Sequence, residues 1–508
     1  MNSQPQTLTD TKFKLNPQII FLFIFPLGVT IFLTTRNPTL LSTLINFLEM
    51  RFADFVEVLE RVIFFPVGGI PLIISWLMLG GIFCTLRMGF INIRGFKHAI
   101  DIVRGKYDTE AEAGQVTHFQ ALATALSGTV GIGNIAGVAI GIHLGGAGVV
   151  FWIAIAGFLG MSIKFVECTL GQKYRLISAD GAIKGGPMYY LSTGLDKMGL
   201  PRLGKILAAI YAFFCIIGTL GGSNMFQANQ SYAAVSNIIP WLENFDWLYG
   251  LVLALLVGTV IIGGIERIGL VTEKIVPLMA VIYLSACFWV LFTNLGLIST
   301  ALHQIITEAF TPQAGYGGLI GVLIMGFRRS AFSSEAGVGS AAIVHSTTRN
   351  KEPIREGLVA SLEPLIDTVI MCNMTGLVIV VTGVYQDSNF ANLSGAQLTA
   401  ASFATVISWF PIVVAIAGFL FAFSTMISWS YYGERAWAYL WGEKSLIVYK
   451  FIFIGCVFFG SMVQLGVVLE FSDMMQLAMT VPNLLGCYLL SNQVAADLRN
   501  YFLMLGNK

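Results

Sequence analysis

Eight consecutive residues bring together groups that could hold a charged solute. Ser127-Gly128-Thr129-Val130-Gly131-Ile132-Gly133-Asn134 sets hydroxyls, glycines and a side-chain amide at the centre of an apolar stretch running from Thr117 to His143. The stretch is long enough to cross a bilayer, which takes about 20 mostly apolar residues in a helix. Its centre is a poor helix, since each glycine costs a helix interior about 1 kcal/mol relative to alanine. The spacing therefore predicts a break at mid-membrane. Lipid cannot satisfy the N–H and C=O groups that a break frees, so it must be buried in protein or line a cavity. A half-helix starting near Gly133 would aim N–H groups at an anion. The carbonyls before it, with the Asn134 amide, could hold a small cation. Close packing of neighbouring helices on the glycines is the competing reading. A dinucleotide loop at Gly131-x-Gly133 is excluded, because no strand precedes it.

The whole chain must supply the elements around that break. Of its 508 residues 56% are hydrophobic and 11% charged, against about 25% charged in soluble domains. This is the composition of an all-α polytopic membrane protein, and it excludes a soluble enzyme. The seven cysteines are scattered singly and read as packing residues. The five histidines form neither an H-E-x-x-H motif nor a cluster.

Residues 1–52 form an N-terminal extension whose apolar run at 17–35 reads as an extra helix or an uncleaved targeting segment. Residues 53–116 hold a peripheral span at Val62–Leu86 and a basic interfacial segment from Met88 to Tyr107. Five spans are expected over 117–296 and five more over 317–497, before a tail at 498–508. Counting the N-terminal segments, this makes 11–12 spans. The loop 87–116 and every second loop after it carry the lysines and arginines. The opposite loops, 142–148, 232–247, 297–316, 384–398 and 468–474, carry none. The positive-inside rule then places the C-terminus in the cytoplasm. Because five is odd, the second half enters from the opposite side, giving two inverted repeats. Its first span is also interrupted, from Arg328 to Gly339, and matched interruptions in two halves point to a transport site.

TALSGTVGIGNIAGVAIGI, GGPMYYL at 185–191, GGSNMFQANQ at 221–230, FSSEAGVGSA at 332–341 and FAFSTMISWSYYGER at 421–435 together resemble the alanine/glycine:cation symporter family. The resemblance runs from about residue 53 to the C-terminus. It implies a 5+5 inverted-repeat core with the fold of the bacterial leucine transporter and two discontinuous helices. It also implies uptake of alanine or glycine with Na⁺ as the coupling ion, no further cofactor, and a place in the cell membrane. Proton coupling is the alternative. An ion channel is a more distant one, disfavoured by the inverted halves.

Carried over by residue, the resemblance implies that Gly131 and Gly133 offer N–H groups to a substrate carboxylate. Thr129 and Asn134 would support substrate or cation, and Gln227, Thr425 and Trp429 would line the same pocket, bordered by Phe332 and Ser333. It assigns Na⁺ to the carbonyls of Ser127 and Val130 and the hydroxyls of Ser424 and Thr425. Taken without the family, a serine or threonine in a span often bonds back to its own helix, Trp429 fits an interfacial belt, and Gln227 fits helix glue. Lys164 and Glu167 read as snorkelling groups near a span end. Arg328, Arg329, Glu335 and Asp367 are candidates for a gate or for coupling, with one arginine paired to an acid. Glu363 and Asp367, one turn apart, stand as partners or braces.

Overall fold

The computed structural model describes residues 57, 60–107, 114–178, 181–310, 318–390, 392–463 and 465–506. The apolar run at 17–35 lies outside the described residues. Among the described residues, five helices are long and apolar enough to span: Gly148–Lys173, Pro201–Ser236, Gly264–Thr293, Pro353–Thr382 and Phe410–Trp441. His118–Thr129 and Ile132–Gly145 form a sixth candidate, bent by 56° at its middle.

The first described span is shorter than the sequence suggests. Val62–Leu86 is not one helix: a hairpin of β1 (Pro66–Val67) and β2 (Ile70–Pro71) precedes α1 (Leu72–Arg87). The cause is local, since Gly68 and Gly69 both take positive φ (62° and 85°) in the two-residue turn, the pattern of a type I′ hairpin. Short helices α2 (Ile91–Arg94) and α3 (Phe96–Val103) then cover the expected interfacial segment.

Helix α4 (His118–Thr129) starts at a capping box, in which the Thr117 hydroxyl accepts from Gln120 N and the Gln120 side chain accepts from Thr117 N, each at 3.1 Å. After the break come α5 (Ala136–Gly145) and α6 (Gly148–Lys173). Helix α7 (Pro201–Leu220) passes through a π-helical turn, Gly221–Met225, into α8 (Phe226–Ser236). Next are α9 (Asp246–Ile261), α10 (Gly264–Thr293) and α11 (Leu295–Phe310). The last of these occupies a stretch expected to be loop. It forms because Ala301, Ile305 and Ala309, one turn apart, bury a common face.

The second broken segment is α12 (Gly318–Ser334) followed by α13 (Ala341–His345). Its break is later and shorter than expected, at 335–340: Arg328 to Ser334 are still helical. The chain leaves the helix where Glu335, Gly337 and Gly339 adopt positive φ (54°, 93° and 82°). Helix α14 (Pro353–Ala360) leads through a π-helical stretch, Leu365–Cys372, to α15 (Asn373–Thr382). Helix α16 (Gly395–Ala404) begins inside another expected loop, 384–398. The chain ends with α17 (Phe410–Trp441), α18 (Leu446–Gly460) and α19 (Leu465–Gly506). Helix α17 packs against α4, α7, α8 and α10, while α6 packs against α12 and α14. The two broken segments are thus held between a long helix on one side and a second helix layer on the other.

Candidate functional site

The first break is made by Val130 (ψ 76°) and an extended Gly131 (φ −112°, ψ −169°), followed by a single 3₁₀ turn, Ile132–Asn134. Glycine is required at 131 by space. A Cβ there would stand 2.6 Å from Thr425 Oγ1 and 3.1 Å from Gln227 Oε1. Both groups therefore press directly on unwound backbone. Ile132 N donates to Gln227 Oε1 at 3.0 Å, and Gln227 Nε2 donates to Gly222 O in the π-helical turn. Gly133 lies against the Phe332 ring, whose edge contact with Phe226 belongs to an apolar cluster containing Ile132, Ala136 and Ile140.

Two polar clusters flank this backbone. On one side, the Asn134 amide donates to the carbonyl of Asp367 at 3.0 Å and to its Oδ1 at 2.5 Å, while Ser333 and Thr368 hydroxyls donate to Oδ2 at 2.6 and 2.7 Å. Asp367 is fully buried and, among the described residues, has no lysine, arginine or histidine within ion-pair reach. Its partners are neutral hydroxyls and an amide. On the other side, Thr425 Oγ1 donates to Ser127 O at 2.9 Å, Ser127 Oγ donates to Ser424 O at 2.6 Å, and Ser428 Oγ donates to Ser127 Oγ at 2.9 Å. Ser127 and Ser424 are fully buried, Thr425 nearly so. Five oxygens from α4 and α17 meet there without a formal charge.

Several expected groups sit where the sequence places them but face another way. The Ser424 hydroxyl donates to Phe421 O at 3.0 Å, so this residue presents its carbonyl, not its hydroxyl, to Ser127. The Thr129 hydroxyl points to Leu126 O at 3.4 Å, along its own helix. Gly131 N already donates to Asn134 Oδ1 at 3.0 Å and to Thr129 O at 2.8 Å, which means that a carboxylate reaching this N–H must displace the amide and compete with that carbonyl. Val130 is buried at the end of α4, its N–H bonded to Leu126 O.

Trp429 does not sit in a membrane belt. It is fully buried, and its Nε1 donates to Glu335 Oε1 at 2.7 Å while the Ser340 hydroxyl donates to Oε2 at 2.5 Å. A positive φ is uncommon for a non-glycine residue, and here both carboxylate oxygens of Glu335 are bonded. Arg329 is buried with its guanidinium 5.5 Å from the Phe332 ring, and Arg328 lies 4.6 Å from the Phe64 ring.

Lys164 and Glu167 do not snorkel. Both are fully buried, with Lys164 Nζ 3.1 Å from Glu363 and Glu167 accepting from Asn483 Nδ2 at 2.5 Å. Glu363 also meets His345 Nε2, whose Nδ1 meets Glu356, which in turn meets His118 Nδ1 (2.5, 2.5 and 2.6 Å). Two histidines therefore do cluster, contrary to their scatter in sequence. Glu356 and Glu363 are seven residues apart, two turns on one helical face, and that spacing was the available signal. Ser428, one turn after Ser424, and Thr368, beside Asp367, were visible in the same way. Cys168 approaches His345 and Glu363 closely enough to suggest a metal group. The ion pairs already made there leave that carboxylate and imidazole balanced by each other and by Lys164.

Apolar spans that come apart around buried polar groups at their middle define a secondary transporter, a class in which substrate and ion sites lie at discontinuous helices. The chain is such a membrane protein and not an enzyme. It belongs to the sodium:alanine symporter family, whose model matches residues 52–507. It is 40% identical to the sodium/alanine symporter AgcS of Methanococcus maripaludis over 88% of this chain and 97% of that protein. It is 33% identical to the probable sodium/glutamine symporter GlnT of Bacillus subtilis (85% and 87%) and 32% identical to the amino-acid carrier protein AlsT of the same organism (83% and 87%). Among solved structures, MhsT in complex with L-phenylalanine overlaps 75% of this chain and 99% of its own at 14% identity, with a TM-score of 0.45. The family and these relatives make the chain a multi-pass amino-acid symporter.

Proposed function

We propose that the protein takes up small neutral amino acids, alanine and glycine, together with Na⁺ by alternating access in the cell membrane, with its C-terminus in the cytoplasm and its core built of two inverted repeats. The observation that carries this reading is the uncharged oxygen cluster of Ser127, Ser424, Thr425 and Ser428 at the end of the unwound segment. Hard cations take oxygen ligands, and the Ser127 and Val130 carbonyls with Thr425 Oγ1 supply them where α4 ends. Ser424 joins through its carbonyl. The substrate carboxylate is received by Gly131 and Gly133 N–H groups once the Asn134 amide turns away, with Gln227 fixing the neighbouring Ile132 N–H. Thr129 sits at the helix end beside them. Phe332 and Trp429, packed against Gly133 and close to Gly128, limit the side chain that fits.

Asp367 gives the coupling its second half. A carboxylate buried among neutral groups is costly unless a charge balances it, and a cation bound across the unwound backbone from Asp367 would offset that charge and also attract the substrate carboxylate. Ion and amino acid then tighten each other reciprocally. A second reading, proton coupling, draws on the same residue and on Glu335, because a proton balances a buried carboxylate as well as Na⁺ does.

Uptake of labelled alanine and glycine into proteoliposomes under an imposed Na⁺ or H⁺ gradient separates the two. Na⁺ drive, with Thr425→Ala raising the Na⁺ concentration needed for half-maximal uptake, is the expected result. Uptake driven by a proton gradient in Na⁺-free buffer would overturn it.

A further inference from the structure

The end of α1 and the end of α19 enclose a feature that transport does not use. Beyond Arg87 the chain reverses through Gly89 and Phe90, both at positive φ, into α2. That reversal and the last turns of α19 bound a cavity of about 510 Å³ lined by Arg87, Arg94 and Arg499 together with Leu498, Phe502 and Leu503. Three arginines line one apolar-walled space, and no acidic side chain lines it among the described residues. Two of the three are held. Arg87 Nη2 donates to Asn492 Oδ1 at 2.5 Å, and the Arg94 guanidinium rests 5.8 Å from the Phe502 ring, above Gly89, where a Cβ would meet its Nη1 at 2.9 Å.

The surroundings are apolar and open. Leu86, Ile93, Leu503 and Met504 are each more than half exposed beside these arginines. In a membrane protein such side chains face acyl chains, and an apolar helix ending in arginine marks the headgroup level. Arginine binds phosphate through paired N–H groups, and basic pockets between membrane helices accept anionic headgroups. A free inorganic anion would use the guanidinium groups and leave the apolar wall idle.

We propose that this cavity binds an anionic phospholipid, its phosphodiester held by Arg87, Arg94 and Arg499 and its acyl chains lying against Leu503 and Leu86. The site clips the first described span to the C-terminal helix from the membrane side. It rests on the multi-pass reading alone and stands or falls separately from the choice of coupling ion.

The test uses the purified full chain in mild detergent, titrated with phosphatidylglycerol, with phosphatidylcholine of the same acyl chains, and with inorganic phosphate. Thermal unfolding and lipid retention in native mass spectrometry are the readouts. A ligand that binds only the folded state raises the melting temperature, so phosphatidylglycerol should raise it and the other two should not. Arg94→Gln with Arg499→Gln should weaken retention by about tenfold or more, the scale of losing charge-assisted hydrogen bonds. Arg94→Lys with Arg499→Lys, which keeps the charge and loses the paired geometry, should fall between and covers the case in which the glutamine pair does not fold. Equal effects of the two lipids, an equal effect of inorganic phosphate, or unchanged retention in both double variants would overturn the proposal.

Discussion

The two breaks lie close together yet are built on different principles. At the first, 130–135, the freed backbone is met by neutral groups: the amides of Asn134 and Gln227 and the hydroxyls of Thr425 and, beyond Ile135, Thr399, which donates to Ile135 O at 3.1 Å. At the second, 335–340, a carboxylate stands at the break itself, tied to Trp429 of α17 and to Ser340, and the half-helix after it is pinned through His345 into the buried chain from Lys164 to His118. Neutral contacts of about 1 kcal/mol each can be exchanged for a ligand. A buried ion pair cannot be opened so cheaply. On the proposed function, the first break is therefore the one free to answer a solute, and the second is the fixed wall against which it moves.

The largest effect should come from cutting the fixed wall. Lys164→Met takes the lysine from Glu363 and leaves it only His345, all of them fully buried, and such truncations cost about 3–5 kcal/mol. Thr399→Val at the first break removes one neutral hydrogen bond and should cost about 1 kcal/mol. Thermal unfolding of the two variants in detergent measures the difference directly. If Lys164→Met proved no worse than Thr399→Val, the charged chain would not be what holds the second break.

Next comes Gly131→Ala. The added methyl would overlap Thr425 Oγ1 and crowd Gln227, and overpacking of this kind costs about 1–3 kcal/mol. Placed at the responding break, that cost should appear as a loss of uptake of about tenfold or more, with folding retained. Gly337→Ala, at φ +93° and facing Leu77 Cδ2 at 2.7 Å, should instead lower the yield of folded protein and leave the alanine KM of what remains unchanged. Kinetics and melting curves on the same pair would expose a reversed pattern.

This division explains what could be seen in the sequence. The first break was legible because its signal is local: Ser127 to Asn134 put glycines where an anchor has leucine, and the bend falls within that stretch. The second was placed too early, because Arg328 to Ser334 look disruptive as composition but continue a helix whose polar side chains have partners both within it and beyond it. Ser333 reaches Asp367, and Arg329 lies over Phe332. The chain Lys164–Glu363–His345–Glu356–His118 joins residues up to 238 positions apart, and no window along the sequence shows that. The hairpin at 66–71 shows the opposite failure, where mean apolarity hid a two-glycine turn.

Of the buried carboxylates, the two that stand at the breaks sharpen the comparison. Asp367 borders the responding break and Glu335 forms the fixed one. Asp367→Asn removes a charge across the unwound backbone from the proposed Na⁺ site, so half-saturating Na⁺ should rise on the order of tenfold. Glu335→Gln keeps both hydrogen-bonding positions and should lower the maximal rate while leaving Na⁺ affinity in place. Uptake measured across Na⁺ concentrations distinguishes them, and normal behaviour of both would remove each from the coupling machinery.

The smallest effect is expected at Thr129, at the tip of α4. If every polar group near the responding break took part in binding, Thr129→Val would cost as much as Thr425→Ala. The geometry says otherwise. Thr425 Oγ1 crosses between helices to Ser127 O at 2.9 Å, whereas Thr129 Oγ1 only leans back 3.4 Å to Leu126 O within its own turn. A long bond of that kind contributes little, about 0.5 kcal/mol, and valine keeps the shape. The alanine KM of Thr129→Val should therefore stay within about twofold of the parent and its Na⁺ dependence should not move. A tenfold rise in KM would mean that the hydroxyl turns from its helix to the amino acid when the Asn134 amide swings away, and the responding region would then extend one residue further into α4 than the bond pattern implies.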